Sequence, residues 1–180
     1  MGGSVTRTGG ELTLAERWSA GRWRIVPTPN PPGGQVFPPG LADVACPSLS
    51  YCIAVGGSSQ GTLAERWNSH GWRIQKTPNP PGGGGLSGVA CSSSSRCTAV
   101  GGSAAGTTLA ERWDGAKWRI QPTPNPSQGG AGLSGVDCSS ASGCTAAGSS
   151  AAGTLAERWN GHRWTIQRTP SPGGRRVTSF

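Results

Sequence analysis

Residues 62–75, TLAERWNSHGWRIQ, place polar and apolar side chains at alternating positions, the period of a β-strand. Leu63, Glu65 and Trp67 share one face, and Thr62, Ala64 and Arg66 share the other. After a polar tip at 68–71, Trp72 and Ile74 return on one side, with Arg73 and Gln75 opposite. The pattern predicts a β-hairpin whose two tryptophans flank the turn and face each other across the ladder. Such a pair stabilises a hairpin by up to about 1 kcal/mol over alanines. The same wording recurs as ERWSAGRW (16–23), ERWDGAKW (111–118) and ERWNGHRW (157–164). These segments hold all eight tryptophans: Trp18 and Trp23, Trp67 and Trp72, Trp113 and Trp118, Trp159 and Trp164. The first tryptophans of successive pairs stand 49, 46 and 46 residues apart.

One full unit, residues 85–126, divides into four short strands: Leu86–Cys91, Cys97–Gly101, Thr108–Trp113 and Trp118–Gln121. Clusters of Gly, Ser, Asn and Pro punctuate the joins. No window carries a helical period, and the recurring TPNP opposes helix. Both faces of the hairpin carry apolar residues, so each sheet is expected between two neighbours. Four-stranded units repeating at this length predict an all-β, incomplete β-propeller of about 3.5 blades. A β-trefoil is the alternative, disfavoured by four copies of the hairpin. The expected division is a half blade and connector at 1–40, blades at 41–85, 86–132 and 133–172, and a stub at 173–180. Stacking is expected to bring the Glu face of one blade against the Arg face of the next. The candidate ion pairs join Glu16, Glu65, Glu111 and Glu157 to Arg17, Arg66, Arg112 and Arg158 of adjacent blades, Glu65 with Arg112 and Arg66 with Glu111 among them.

The order of a strand ending in Gly-Gly, a strand ending in an aromatic, a short turn, a Trp and a Pro-rich exit resembles the kelch repeat of galactose-oxidase-like propellers. The residues that carry it are Gly56–Gly57, Trp67 and Trp72, then Gly101–Gly102, Trp113 and Trp118. The Trp-x4-Trp turn is shorter than the kelch one, and Gly148 is followed by Ser149. LAERW with its cysteine pair looks more like a repeat of secreted or surface proteins of actinobacteria. The copper ligands of galactose oxidase have no counterpart here, so the resemblance implies a propeller and no cofactor.

All six cysteines fall in C-x5-C pairs: Cys46/Cys52, Cys91/Cys97 and Cys138/Cys144. Each pair brackets the first turn of a unit, where two facing cysteines lie at bonding distance. Disulfides are expected, each worth about 2 kcal/mol for a loop this short. Zinc is the competing use of six thiols, but five intervening residues is not a knuckle spacing and neither histidine lies near a pair. Bridges in every unit imply an oxidising, extracellular or cell-surface location. Residues 1–10 lack the apolar core of a secretory signal. MGGS (1–4) matches the internal VGGS at 55–58 and 100–103, as though the chain began inside a blade of a longer reading frame. GGRRVTSF (173–180) stands where another first strand would begin.

The net charge of +8 is spread through the repeats rather than massed, which fits a solvated basic surface better than a nucleic-acid site. No stretch has the length and apolarity of a membrane span. His70 and His162 occupy hairpin tips where other copies have Gly21 and Ala116, the pattern of surface decoration. Asp43 and Asp137 lack an acidic partner nearby, and the serine runs lack triad context. No catalytic residue, cofactor site or metal site emerges. The expected function is a secreted binding or scaffold module for polysaccharide or an extracellular protein, with self-association through open blades. The alternative is a fragment of a propeller hydrolase or lyase with its catalytic residues outside this chain.

Overall fold

A computed structural model describes residues 2–5, 11–31, 36–127 and 129–170. The stub at 173–180, and Met1 of the MGGS match, lie outside them. The described chain is all β, an incomplete β-propeller of four antiparallel sheets taken in chain order. The first sheet has three strands, β1 (Gly2–Val5), β2 (Glu11–Ser19) and β3 (Arg22–Val26). The second comprises β4 (Val36–Ser48), β5 (Tyr51–Ser58), β6 (Gly61–Trp67) and β7 (Trp72–Gln75). The third comprises β8 (Gly84–Ser93), β9 (Arg96–Ser103), β10 (Thr108–Trp113) and β11 (Trp118–Gln121). The fourth comprises β12 (Gly132–Ser140), β13 (Gly143–Ser150), β14 (Gly153–Trp159) and β15 (Trp164–Gln167). Each sheet is a meander whose strands pair in sequence order, which excludes the trefoil arrangement. Among the described residues the first sheet has no strand corresponding to β4; the pairing of Gly2 with Leu14 repeats that of Gly56 with Leu63, so β1 takes the place of β5.

The hydrophobic clusters lie at the seams between sheets, as alternation on two covered faces requires. Ile53 and Val55 of the second sheet meet Leu86, Val89, Leu109 and Trp113 of the third. Val100 and Ala110 of the third meet Leu133, Leu155, Trp159 and Trp164 of the fourth. The strands β4, β8 and β12 pack side by side, and within each of their sheets the second strand approaches the first so closely that one glycine has no room for a side chain. A Cβ on Gly101 would collide with the carbonyl oxygen of Gly85, and the same holds for Gly56 against Gly40 and Gly148 against Gly132. The Gly-Gly signature therefore reflects a close approach of two strands within a sheet.

Three disulfides, Cys46–Cys52, Cys91–Cys97 and Cys138–Cys144, close the first turn of the three four-stranded sheets. In the third and fourth sheets the bonded cysteines are direct cross-strand partners. Among the described residues, no helix is long and apolar enough to cross a membrane.

The TPNP exits do more than stiffen the connection. Asn30, Asn79 and Asn125 each accept, through Oδ1, the backbone N–H of Thr13, Thr62 and Thr108. The motif's first threonine completes the clasp: the Thr28, Thr77 and Thr123 hydroxyls donate to the carbonyls of Thr13, Thr62 and Thr108. The exit thus satisfies a backbone edge that the fourth strand is too short to cover.

Candidate functional site

The hairpin tryptophans are paired in register at all four positions, Trp18 with Trp23, Trp67 with Trp72, Trp113 with Trp118 and Trp159 with Trp164. Their ring centroids stand 5.6 to 5.8 Å apart. The tips between them are polar turns. Asn68 Oδ1 accepts the N–H groups of His70 and Gly71, and Asn160 does the same for His162 and Arg163. In the third tip, Asp114 accepts from Ala116 and Lys117 and pairs with Arg119 at 3.2 Å. The backbone donors of Lys117 and Ala116, helped by Arg119, hold its carboxyl down at about 2.

Among the described residues, the expected Glu–Arg ion pairs between sheets are not found, and the two residue types meet different neighbours at the seam. Arg17 of the first sheet lies 5.7 Å from the ring centroid of Trp67 in the second. Arg112 of the third lies 5.3 Å from that of Trp159 in the fourth, and its guanidinium donates to the Ala141 carbonyl. Stacking on an indole keeps the charged head near water, whereas an ion pair here would bury both charges. Arg66 lies over Tyr51 instead, and Arg158 is exposed.

Glu65, Glu111 and Glu157 are wholly buried, and neither carboxylate oxygen of any of them makes a hydrogen bond. Glu16, in the first sheet, is exposed. Burial pushes Glu65 and Glu111 up to about 8 and Glu157 up to about 7. The polar group facing each is a threonine hydroxyl of the preceding sheet, Thr13, Thr62 or Thr108, which opposes the shift only weakly. Those hydroxyls are already turned toward the TPNP exits of their own sheets. Below those values the glutamates act as neutral seam fillers. Their protonated form places no charge in an apolar environment.

The seams also contain the clefts. Between the first and second sheets lies a mostly apolar cleft of about 530 Å³, walled by Trp23, Trp67, Trp72 and Val26, with Glu16 and Arg17 also lining it. Between the third and fourth lies one of about 430 Å³, lined by Arg112, Trp159, Gln121, Asp114, Arg119 and His162. Arg112 and Trp159 hold the repeat positions of Arg17 and Trp67, so the two clefts are equivalent places. Trp164 Nε1 donates to Gln121 Oε1 across the second of these seams. At the middle seam the corresponding place is taken by the chain's own ring. Tyr51 sits under the Arg66 guanidinium, 6.0 Å from it, and packs on the cluster that includes Trp113. Burial raises the Tyr51 phenol, with Arg66 opposing.

Sequence reasoning located the tryptophans and arginines but not their meeting across seams. It also missed Tyr51, the chain's single tyrosine, because no other copy has an aromatic there. Among the described residues, no three His, Cys, Asp or Glu side chains gather as a metal site would require.

No family model matches the sequence, and no curated protein matches it. Solved structures do resemble the fold. A lectin of Aleuria aurantia, in complex with Fucα1-6GlcNAc, superposes with a TM-score of 0.62 at 14% identity, over 92% of this chain and 54% of that one. YCF48 from Cyanidioschyzon merolae gives 0.53 at 14%, over 92% and 55%. YCF48 bound to a D1 peptide gives 0.53 at 11%, over 74% and 45%. The chain thus spans about half the length of the propellers it resembles, and at these identities the likeness is one of fold.

Proposed function

We propose that this chain is a carbohydrate-binding propeller module of an extracellular or surface-exposed protein, taking a sugar residue in the clefts at the first and third seams. The observation that carries this reading is the first cleft, an aromatic slot with a guanidinium and a carboxylate among its lining groups. An indole presents a flat apolar surface to the C–H face of a pyranose. An arginine donates to ring hydroxyls and a glutamate accepts from them, which fixes orientation. Trp23 and Glu16 are exposed, so the groups that would meet a ligand are accessible without rearrangement. The Aleuria aurantia lectin holds a fucosylated disaccharide on a related fold, which supports the ligand class without assigning the site. The three disulfides support an oxidising location.

The test is titration calorimetry with saccharides chosen from a glycan array, on the parent chain and on Trp23→Ala and Arg17→Ala. Both substitutions lie at exposed positions; Arg17→Ala also removes the contact with Trp67 across the first seam. The expected result is binding that each substitution weakens at least tenfold. An array with no saccharide bound, or binding indifferent to both changes, overturns the proposal.

A further inference from the structure

Every internal seam joins two standard faces. The arriving face of a sheet carries Leu, Glu and Trp from its third strand; the departing face carries Ala and Arg from the same strand. Inside the arc both are covered. On the arriving side, Leu63, Glu65 and Trp67 are buried, as are Leu109, Glu111 and Trp113, and Leu155, Glu157 and Trp159. On the departing side, Ala15, Ala64 and Ala110 are at most 1% exposed.

Among the described residues, the same faces stand uncovered at the two ends of the arc. The first sheet presents its arriving face, where Glu16 is exposed, Trp18 is 56% exposed and Trp23 is 65% exposed, with Ile25 at 69% beside them. The fourth sheet presents its departing face, where Ala156 is half-buried and Arg158 is exposed. These are the two halves of a junction that the chain builds three times within itself. Among the described residues, the uncovered tryptophans lack the arginine that Trp67 and Trp159 receive, and Arg158 lacks an indole.

We propose that a second copy of this chain docks its fourth sheet on the first sheet of its partner, head to tail, with Arg158 of one copy over Trp18 of the other. The contact is heterologous, and two such contacts between two copies close a ring. Two copies supply eight sheets, within the range of closed propellers. The pairing does not rest on the carbohydrate reading, although Trp23 and Glu16 of this end face also line the first cleft.

Light scattering after gel filtration, over about 1 to 200 μM, tests it; the expected species has twice the 18.2 kDa of one chain. Trp18→Asp blocks the head and Ala156→Arg blocks the tail, so each variant alone should be monomeric. Mixed in equal amounts they should form a one-to-one pair, because one retains a free tail and the other a free head. Arg158→Glu, a change at an exposed position, should weaken self-association at least tenfold. A parent chain monomeric throughout overturns the proposal. So does a dimer that survives both blocking variants, and so does mass that grows past the dimer with concentration. Thermal melts matching the parent's establish that the variants fold; should either blocking variant fail this check, Arg158→Glu alone decides, and an unweakened dimer then counts against the pairing.

Discussion

Asn125 accepts the backbone N–H of Thr108 through its side-chain oxygen at 2.8 Å, tying the exit of the third sheet to the start of that sheet's third strand. The bond closes 17 residues of chain and leaves the Thr108 hydroxyl within 3.2 Å of the same oxygen. Asn125→Ala strands a partly buried donor, which costs about 1–3 kcal/mol. The expected outcome is a melting temperature lower by roughly 3–8 °C for a chain of this size, with an unchanged β-sheet circular dichroism spectrum. Asn79→Ala should behave alike, because its geometry repeats.

Glycines within one unit should differ sharply in tolerance. Gly101→Ala drives a methyl into the Gly85 carbonyl, backbone against backbone, so neither side can yield cheaply. Gly85→Ala meets nothing within 4 Å. Urea unfolding is expected to show Gly101→Ala destabilised by about 3 kcal/mol or more, and Gly85→Ala within about 1 kcal/mol of the parent.

The buried glutamates make stability depend on pH with a sign opposite to that of paired carboxylates. In the unfolded chain a glutamate loses its proton near the ordinary value of 4.5; in the folded chain Glu65 and Glu111 hold theirs to about 8. Between those values the folded state binds more protons, so stability is fully present below about pH 4.5 and is lost as pH rises through 7 to 8. The slope is about 1.4 kcal/mol per pH unit for each such group. Melting temperature should therefore fall from pH 5 to pH 8. Replacing Glu65, Glu111 and Glu157 by glutamine, a neutral shape match, should flatten that decline. Parallel profiles for parent and triple variant would remove the burial account.

Tyr51→Gly places at the middle seam the residue that the fourth sheet carries at the same point, Gly143. The ring that lies under Arg66 is then gone, and a third cleft opens beside Trp113. With a saccharide that binds the parent, the calorimetric stoichiometry should rise from two sites per chain toward three, at the cost of a few degrees of thermal stability. An unchanged stoichiometry would mean that Tyr51 is not what closes this seam.

The repeat unit was legible in the residues because period-two alternation and paired tryptophans leave few options. Thr108–Trp113 and Trp118–Gln121 have the bounds the alternation predicts. The disulfides were legible for the same reason, since C-x5-C across a turn sets cross-strand distance. The seam chemistry was not. Alternation says which residues share a face, but not how far along the neighbouring sheet they land. That offset sends Arg112 to Trp159 and leaves Glu111 among apolar groups. Tyr51 escaped for another reason: comparing copies draws attention to what they share, and this residue matters by differing.

The clefts belong to junctions and not to individual sheets, which sets the valency of the assembly. Each added repeat brings one more junction, and closure of a ring brings a last one that no single unit possesses. Weak sites held at fixed spacing on a stiff frame engage a polymer with an avidity far above any one of them. On the proposed carbohydrate-binding reading, lengthening the array by duplication would tune how firmly it grips a long chain, without altering a single contact inside any cleft.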